Sequence, residues 1–252
     1  MGTIFLKQFG LQRSGTNIFK ALIEINFNNT HVLTKYLGGK HEATDWETIS
    51  RHLSETESLD YGIDESDAEQ LSTLVKNKEL GFIFNIKEPI PWVESYHRHY
   101  LKKSRAKNPK VVKKMDIEWI EKRLIQWENL VTSWSKFHQE NKENSVMVTH
   151  YGILTDANNL LESVQEKFSL QQRKDGELTD KIENYARRGA YFQHGEELLT
   201  QSKKFDSSYH LENQWLKSFS EETLEFTKEK VSQIESRLPE VRSYGLKMAD
   251  LI

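Results

Sequence analysis

The chain contains no cysteine. Disulfides, thiolate metal sites and a cysteine nucleophile are therefore excluded. Long apolar runs are missing as well. No window approaches the roughly 18 apolar residues that a transmembrane helix needs. The first residues lack the basic stretch and apolar core of a signal peptide, so a cytoplasmic protein with no membrane contact is the expectation. Net positive charge is also absent. The formal charge is -3, which argues against a general nucleic-acid binder but leaves room for a local basic pocket. No internal repeat, low-complexity tract or linker divides the chain. What is present is 37% hydrophobic and 29% charged residues over 252 positions, enough for one sizeable core. A single domain over 1–252 is expected.

Periodicity supplies the fold class. "TIFLKQF" (3–9) is β-prone and ends at Gly10, and residues 16–27 then carry apolar side chains at helical spacing. Strand, glycine turn and helix open an α/β fold with a parallel sheet. Further strands are expected at 31–37, 80–86 and 145–151. Helices are expected at 66–78, after Pro89, over 115–142, at 156–168 and at 220–237. Residues 38–66 read as a long polar loop with one or two helical turns, a length that is often functional. The expectation is a three-layer α/β/α domain with a central parallel sheet, a P-loop-like anion loop and a helix-rich C-terminal part.

The turn between the first strand and helix is "GLQRSGTN". Its two glycines, Gly10 and Gly15, fit the Walker pattern of nucleotide-binding loops, but Thr16 replaces the lysine and Asn17 the magnesium-binding hydroxyl. Such a loop still offers backbone N–H groups and the positive end of a helix dipole. It is poorly equipped to move a phosphoryl group with a metal. One cation remains inside it, Arg13, able to bridge anionic groups at a leaving oxygen.

These residues resemble the 5′-phosphosulfate loop of sulfotransferases that use 3′-phosphoadenosine-5′-phosphosulfate (PAPS). Three further segments follow in the family's order. In "NIKEPIPWVESYHRHY", Lys87 ends a strand and Ser95 lies eight residues on, as in the family's 3′-phosphate grip. The family prefers arginine at the position of Lys87, and lysine keeps the charge without the planar fork. In "SVMVTHYGILTD", Tyr151 corresponds to an aromatic that packs on adenine. In "NYARRGAYFQHG", Arg187, Arg188 and Gly189 correspond to a late basic segment that closes over the 3′-phosphate.

The resemblance implies a PAPS-dependent sulfotransferase that moves the sulfuryl group to a hydroxyl or amine, in line and without a metal. Arg13, Ser14, Gly15, Thr16, Asn17, Lys87, Ser95, Tyr151, Arg187, Arg188 and Gly189 would hold the cofactor. Arg13 would also serve as the leaving-group cation. Family members place a lysine and a histidine after the second strand, which nominates His41 as base and Lys40 as its electrostatic partner. Glu42, Asp45 and His150 are the alternatives for the base. Trp46 lines the acceptor site or belongs to the core. His97 and His99 are expected at the surface or the core edge. The acceptor is expected to be a small molecule or a sugar, not a nucleic acid, and the oligomeric state is open. Two other readings are a degenerate P-loop kinase or nucleotide hydrolase, and a non-catalytic phosphoadenosine-binding module.

Overall fold

Four strands form an all-parallel sheet: β1 (Ile4–Gly10), β2 (Thr30–Leu33), β3 (Gly81–Ile86) and β4 (Ser145–Thr149), in the order β2-β1-β3-β4. They come from a computed structural model that describes residues 2–54, 65–109, 115–173, 178–180, 184–185, 203–204 and 207–246. The strands read as nearly continuous apolar runs because both faces are covered, as parallel sheets require. Alternate side chains serve opposite layers. Phe5, Phe9, Phe82 and Phe84 face one core, and Leu6, Val32, Ile83 and Val148 face the other.

On the second face lie α1 (Thr16–Asn26) and α7 (Ala157–Phe168), contributing Phe19, Leu22, Leu161 and Val164. The first face is larger. It carries α3 (Glu65–Lys76), α4 (Pro89–Lys107), α5 (Ile117–Glu140) and α9 (Glu221–Arg237), with Trp92, Trp127 and Trp134 fully buried. The long helices start where the sequence places caps. Asp116 accepts the Trp119 N–H at 2.9 Å, and Ser220 forms a capping box with Thr223.

The expected strands and helices are present, with three differences. The second strand stops at Leu33, short of residue 37. The 38–66 segment holds a nine-residue helix, α2 (Trp46–Ser54), whose Trp46 packs edge-on against Phe82. The third difference concerns β4, which ends at Thr149 and not at 151. Thr149 Oγ1 accepts the Gly152 N–H at 3.0 Å and starts α6 (His150–Thr155). Late in the chain, α8 (Ser208–Leu211) follows a two-stranded antiparallel pair, β5 (Asn184–Tyr185) and β6 (Lys203–Lys204).

The chain winds from β1 to β2 on one side, then crosses to β3 on the other. The reversal falls beside the carboxyl end of β1, the place where open α/β sheets bind ligands. Because all four strands are parallel, the segments after β1, β2, β3 and β4 emerge along the same edge. Those segments carry Arg13, His41, Lys87 and His150.

Candidate active site

The turn after β1 depends on glycine. A Cβ on Gly10 would lie 2.6 Å from Thr16 Cγ2 and 2.8 Å from both Cβ and the carbonyl oxygen of Asn85. Gly15 adopts φ 81° and opens α1 with no side-chain cap. The N–H groups of the first turn therefore have no intrahelical acceptor and point out of the helix start. Two buried amides on the strands fix this corner. Gln8 Nε2 donates to the Thr16 carbonyl at 3.0 Å and to Asn85 Oδ1 at 2.8 Å. Neither Gln8 nor Asn85 was singled out in the sequence, since each reads as an ordinary strand residue.

Arg13 holds φ 69°, a left-handed conformation that costs a non-glycine residue about 1 kcal/mol. Its side chain is exposed and faces the cavity described below. Ser14 has a different task from the one expected of it. It is fully buried, and both its N–H (3.2 Å) and its hydroxyl (2.7 Å) donate to the Leu11 carbonyl. It shapes the turn here and does not line the cavity.

The segment after β2 is strapped onto this loop by three hydrogen bonds. The Gly10 N–H donates to the Lys40 carbonyl at 2.7 Å. His41 Nδ1 donates to the Gly10 carbonyl at 2.5 Å, and Lys40 Nζ donates to Asn17 Oδ1 at 2.6 Å. The second fixes His41 with its proton on Nδ1, so Nε2 carries the lone pair. The third brings an ammonium to the helix start that lacks a lysine of its own. Burial drives the His41 pKa down to about 4, with Lys40 and Lys7 adding to the effect and the Gly10 carbonyl opposing it. The imidazole is thus neutral at pH 7. Of the alternative bases, Glu42 accepts the Gly39 N–H at 3.0 Å and Asp45 accepts the Thr48 N–H at 2.6 Å, so both carboxylates hold local turns.

A cavity of about 340 Å³ opens above the loop, lined by Arg13, Gly15, Thr16, Asn17, Lys40 and His41 from the β1 and β2 segments. Helix α4 adds Ser95, His99 and Lys103, at successive i, i+4 positions on one face. His150 and His210 close it from below. His99 therefore belongs to the site and not to the core edge. His97 does go to the core edge, edge-on to Trp119 with ring centroids 4.9 Å apart. Lys103 and His210 were not anticipated. The i, i+4 spacing from Ser95 was the available signal for Lys103.

Lys87 sits next door. It is fully buried and lines a second, small cavity of about 20 Å³ with Tyr151, His150 and His210. The structure brings Ser95 into the main cavity and leaves Lys87 behind a wall made by the two histidines. Lys87 Nζ lies 3.4 Å from His210 Nδ1, and the His150 and His210 rings meet edge-on at 4.7 Å. Burial lowers the Lys87 pKa to about 7, with Arg13 and Arg98 acting in the same direction against Glu88 and Glu94. Burial beside Lys87 also holds both histidines neutral. Tyr151 is in the first turn of α6, not at a strand end, and borders only the small cavity. Arg187, Arg188 and Gly189 lie outside the described residues.

Indole N–H groups hold the site loops from beneath. Trp92 donates to the Gln12 carbonyl at 2.8 Å, Trp127 to the Lys87 carbonyl at 2.8 Å, and Trp134 to the Glu42 carbonyl at 2.9 Å. The segments after β1, β2 and β3 are thus each tied at the backbone to the aromatic layer. Trp46 is turned away from the site and donates to Asn141 at 2.8 Å.

Parallel sheet, anion loop at the switch point and helices on both faces make a three-layer α/β/α fold of the kind that sulfotransferases share. Among solved structures, the chain is similar to the mouse sulfotransferase SULT7A1 complexed with PAP. The match has 16% sequence identity and a TM-score of 0.50, and it covers 96% of this chain and 88% of that one. No protein-family model and no curated protein matches the chain by sequence. Among the described residues, no helix is long and apolar enough to cross a membrane.

Proposed function

We propose that this protein transfers the sulfuryl group of PAPS to a hydroxyl or amine of a small-molecule or sugar acceptor. The observation that carries this reading is the strap across the anion loop. It puts a neutral imidazole with its lone pair on Nε2 and two cations, Arg13 and Lys40, around one uncapped helix start. The fold shared with a PAP-bound sulfotransferase supports it.

In this mechanism the uncapped N–H groups of Gly15, Thr16 and Asn17 hold the 5′-phosphate. His41 Nε2 removes the proton from the acceptor hydroxyl or amine as that atom bonds to sulfur. The bond between sulfur and the bridging oxygen breaks in line, and the electron pair stays on the departing 5′-phosphate. Arg13 and Lys40 stabilise the charge that develops on that oxygen. Ser95, with His150 and His210 beside it, forms the end that takes the 3′-phosphate; Lys87 joins it when the two histidines move aside, and Tyr151 borders Lys87. The sulfuryl group carries less charge than a phosphoryl group, so the chemistry does without the metal and lysine that Thr16 and Asn17 replace.

Thermal stabilisation by PAP, compared with ATP plus Mg²⁺, tests the reading directly. Stabilisation by PAP is expected at concentrations above its Kd, by the linkage between binding and folding. A protein stabilised only by ATP plus Mg²⁺ is a P-loop kinase or hydrolase, and the sulfotransferase reading then fails.

A further inference from the structure

We infer that Lys7 is a positioning residue for the candidate base: its buried ammonium fastens the Gly38 carbonyl, and with it the strap that carries His41. The inference rests on the sulfuryl-transfer reading and deepens it. Lys7 takes no part in the mechanism above, and packing alone does not call for a lysine where it stands. By the alternation of β1 it shares the aromatic face with Phe5 and Phe9. It is fully buried, and its Nζ lies 4.8 Å from the centre of the Phe9 ring. An ammonium there gives up its water, at a cost that an apolar side chain avoids.

Strand register gives the charge its task. Lys7 pairs with Leu33, the last residue of β2, so its side chain reaches to where the chain leaves the sheet. There Leu37 and Gly38 hold positive φ, 64° and 100°, and turn the chain towards the anion loop. Lys7 Nζ donates to the Gly38 carbonyl at 2.6 Å, three residues before His41. The Gly10 N–H then takes the Lys40 carbonyl, and His41 reaches the Gly10 carbonyl through Nδ1. Two ties from one strand, at Lys7 and at Gly10, bracket the segment on which the imidazole's place depends. Charge adds a second effect. His41 is accompanied by Lys40 and Glu42 of its own segment and by Lys7 of β1. Around the cavity stand Arg13, His99, Lys103, His150 and His210. Burial does most to keep the imidazole neutral. Lys40 and Lys7 add to it, against the Gly10 carbonyl and Glu42.

The test is NMR of the full-length protein with ¹⁵N-labelled histidine. His41 is assigned among the nine histidines by its loss in His41→Gln. The parent is expected to show the Nδ1–H tautomer and to titrate near pH 4. Lys7→Met removes charge and donor at similar length, and Lys7→Gln is the second variant should the first not fold. In the variant a mixture of tautomers and a higher titration point are expected, since one anchor and one cation are gone. Its kcat should fall about tenfold while PAP affinity stays within about twofold, the pattern of a displaced base. Unchanged tautomer and titration in a folded variant overturn the inference, and so does unchanged kcat. PAP affinity that falls as far as kcat also overturns it, since Lys7 then supports the anion loop. If neither variant folds, Lys7 serves the fold alone and the inference falls. A parent that does not bind PAP removes the sulfuryl-transfer reading, and the NMR comparison, which needs no turnover, separates that failure from one at Lys7.

Discussion

His41 donates from Nδ1 to the carbonyl of Gly10, 31 residues earlier, at 2.5 Å. One bond joins the candidate base to the first glycine of the anion loop and selects the tautomer that can accept a proton. His41→Gln is expected to lower kcat by about 10²- to 10⁴-fold and to leave PAP affinity unchanged. The pH profile is a second check. With its pKa pushed down to about 4, the imidazole stays unprotonated well below the usual histidine range. The acid limb of kcat/KM should then fall near pH 4 and be absent near pH 6.5. A limb at 6.5 that disappears in His41→Gln would show that the imidazole is not buried as described.

Arg13 trades backbone comfort for charge. Glycine would relieve its left-handed φ of 69°, so Arg13→Gly should hold stability within about 1 kcal/mol of the parent. Turnover should fall by about 10²- to 10³-fold, as when a transition-state donor is removed, with a much smaller loss of PAP affinity. Urea denaturation and steady-state kinetics separate the two effects. If PAP binding falls as far as turnover, Arg13 is a ground-state contact and not the leaving-group cation.

Lys87 makes a proton-linkage prediction. Its pKa, lowered to about 7 by burial, leaves it mostly neutral at pH 8. A bound phosphate stabilises the ammonium and raises that pKa, so PAP binding at pH 8 should take up close to one proton. Calorimetry in buffers of different ionisation enthalpy measures the uptake directly. Lys87→Arg stays charged at any such pH and should reduce the uptake sharply. Lys87→Ala should weaken PAP binding at least about tenfold and change kcat less. For the free protein the sign follows from the same shift. The folded state binds fewer protons at Lys87 than the unfolded chain between about pH 7 and 10.5. This lysine's contribution is therefore fully favourable above pH 10.5 and is lost as pH falls towards 7.

Trp134 links the aromatic layer to the base. Its indole donates to the Glu42 carbonyl, next to His41 in the chain. Trp134→Phe keeps most of the packing but removes that donor, at an expected stability cost of about 1–3 kcal/mol. The loosened segment should lower kcat without changing PAP affinity, because the tie to Gln12 through Trp92 is untouched. Equal kcat in the variant would show that the strap alone positions His41.

The sequence determined the layers of this protein and the anion loop. Phe5 and Leu6 alternate, as do Phe82 and Ile83, and that period alone assigns side chains to two faces of a sheet. Gly10 and Gly15 mark a turn that tolerates no side chain at the first position and needs φ above zero at the second, a local constraint written into residue identity. The strap was legible in part. The order of Lys40 and His41 after the second strand nominated them, but only the parallel register of β1 beside β2 brings His41 to the Gly10 carbonyl.

Contacts between segments far apart in the chain carry no local signal, and these were decided by the tertiary structure. It set Lys87 behind His150 and His210, and it moved Tyr151 into a helix once Thr149 capped the strand end. It gave three tryptophans, legible only as apolar stripe residues, the further task of holding Gln12, Lys87 and Glu42 by their carbonyls. It also turned Ser95, His99 and Lys103 towards one cavity and their neighbours away from it. A helix repeats every 3.6 residues whatever surrounds it, and only packing decides which of its faces meets the ligand.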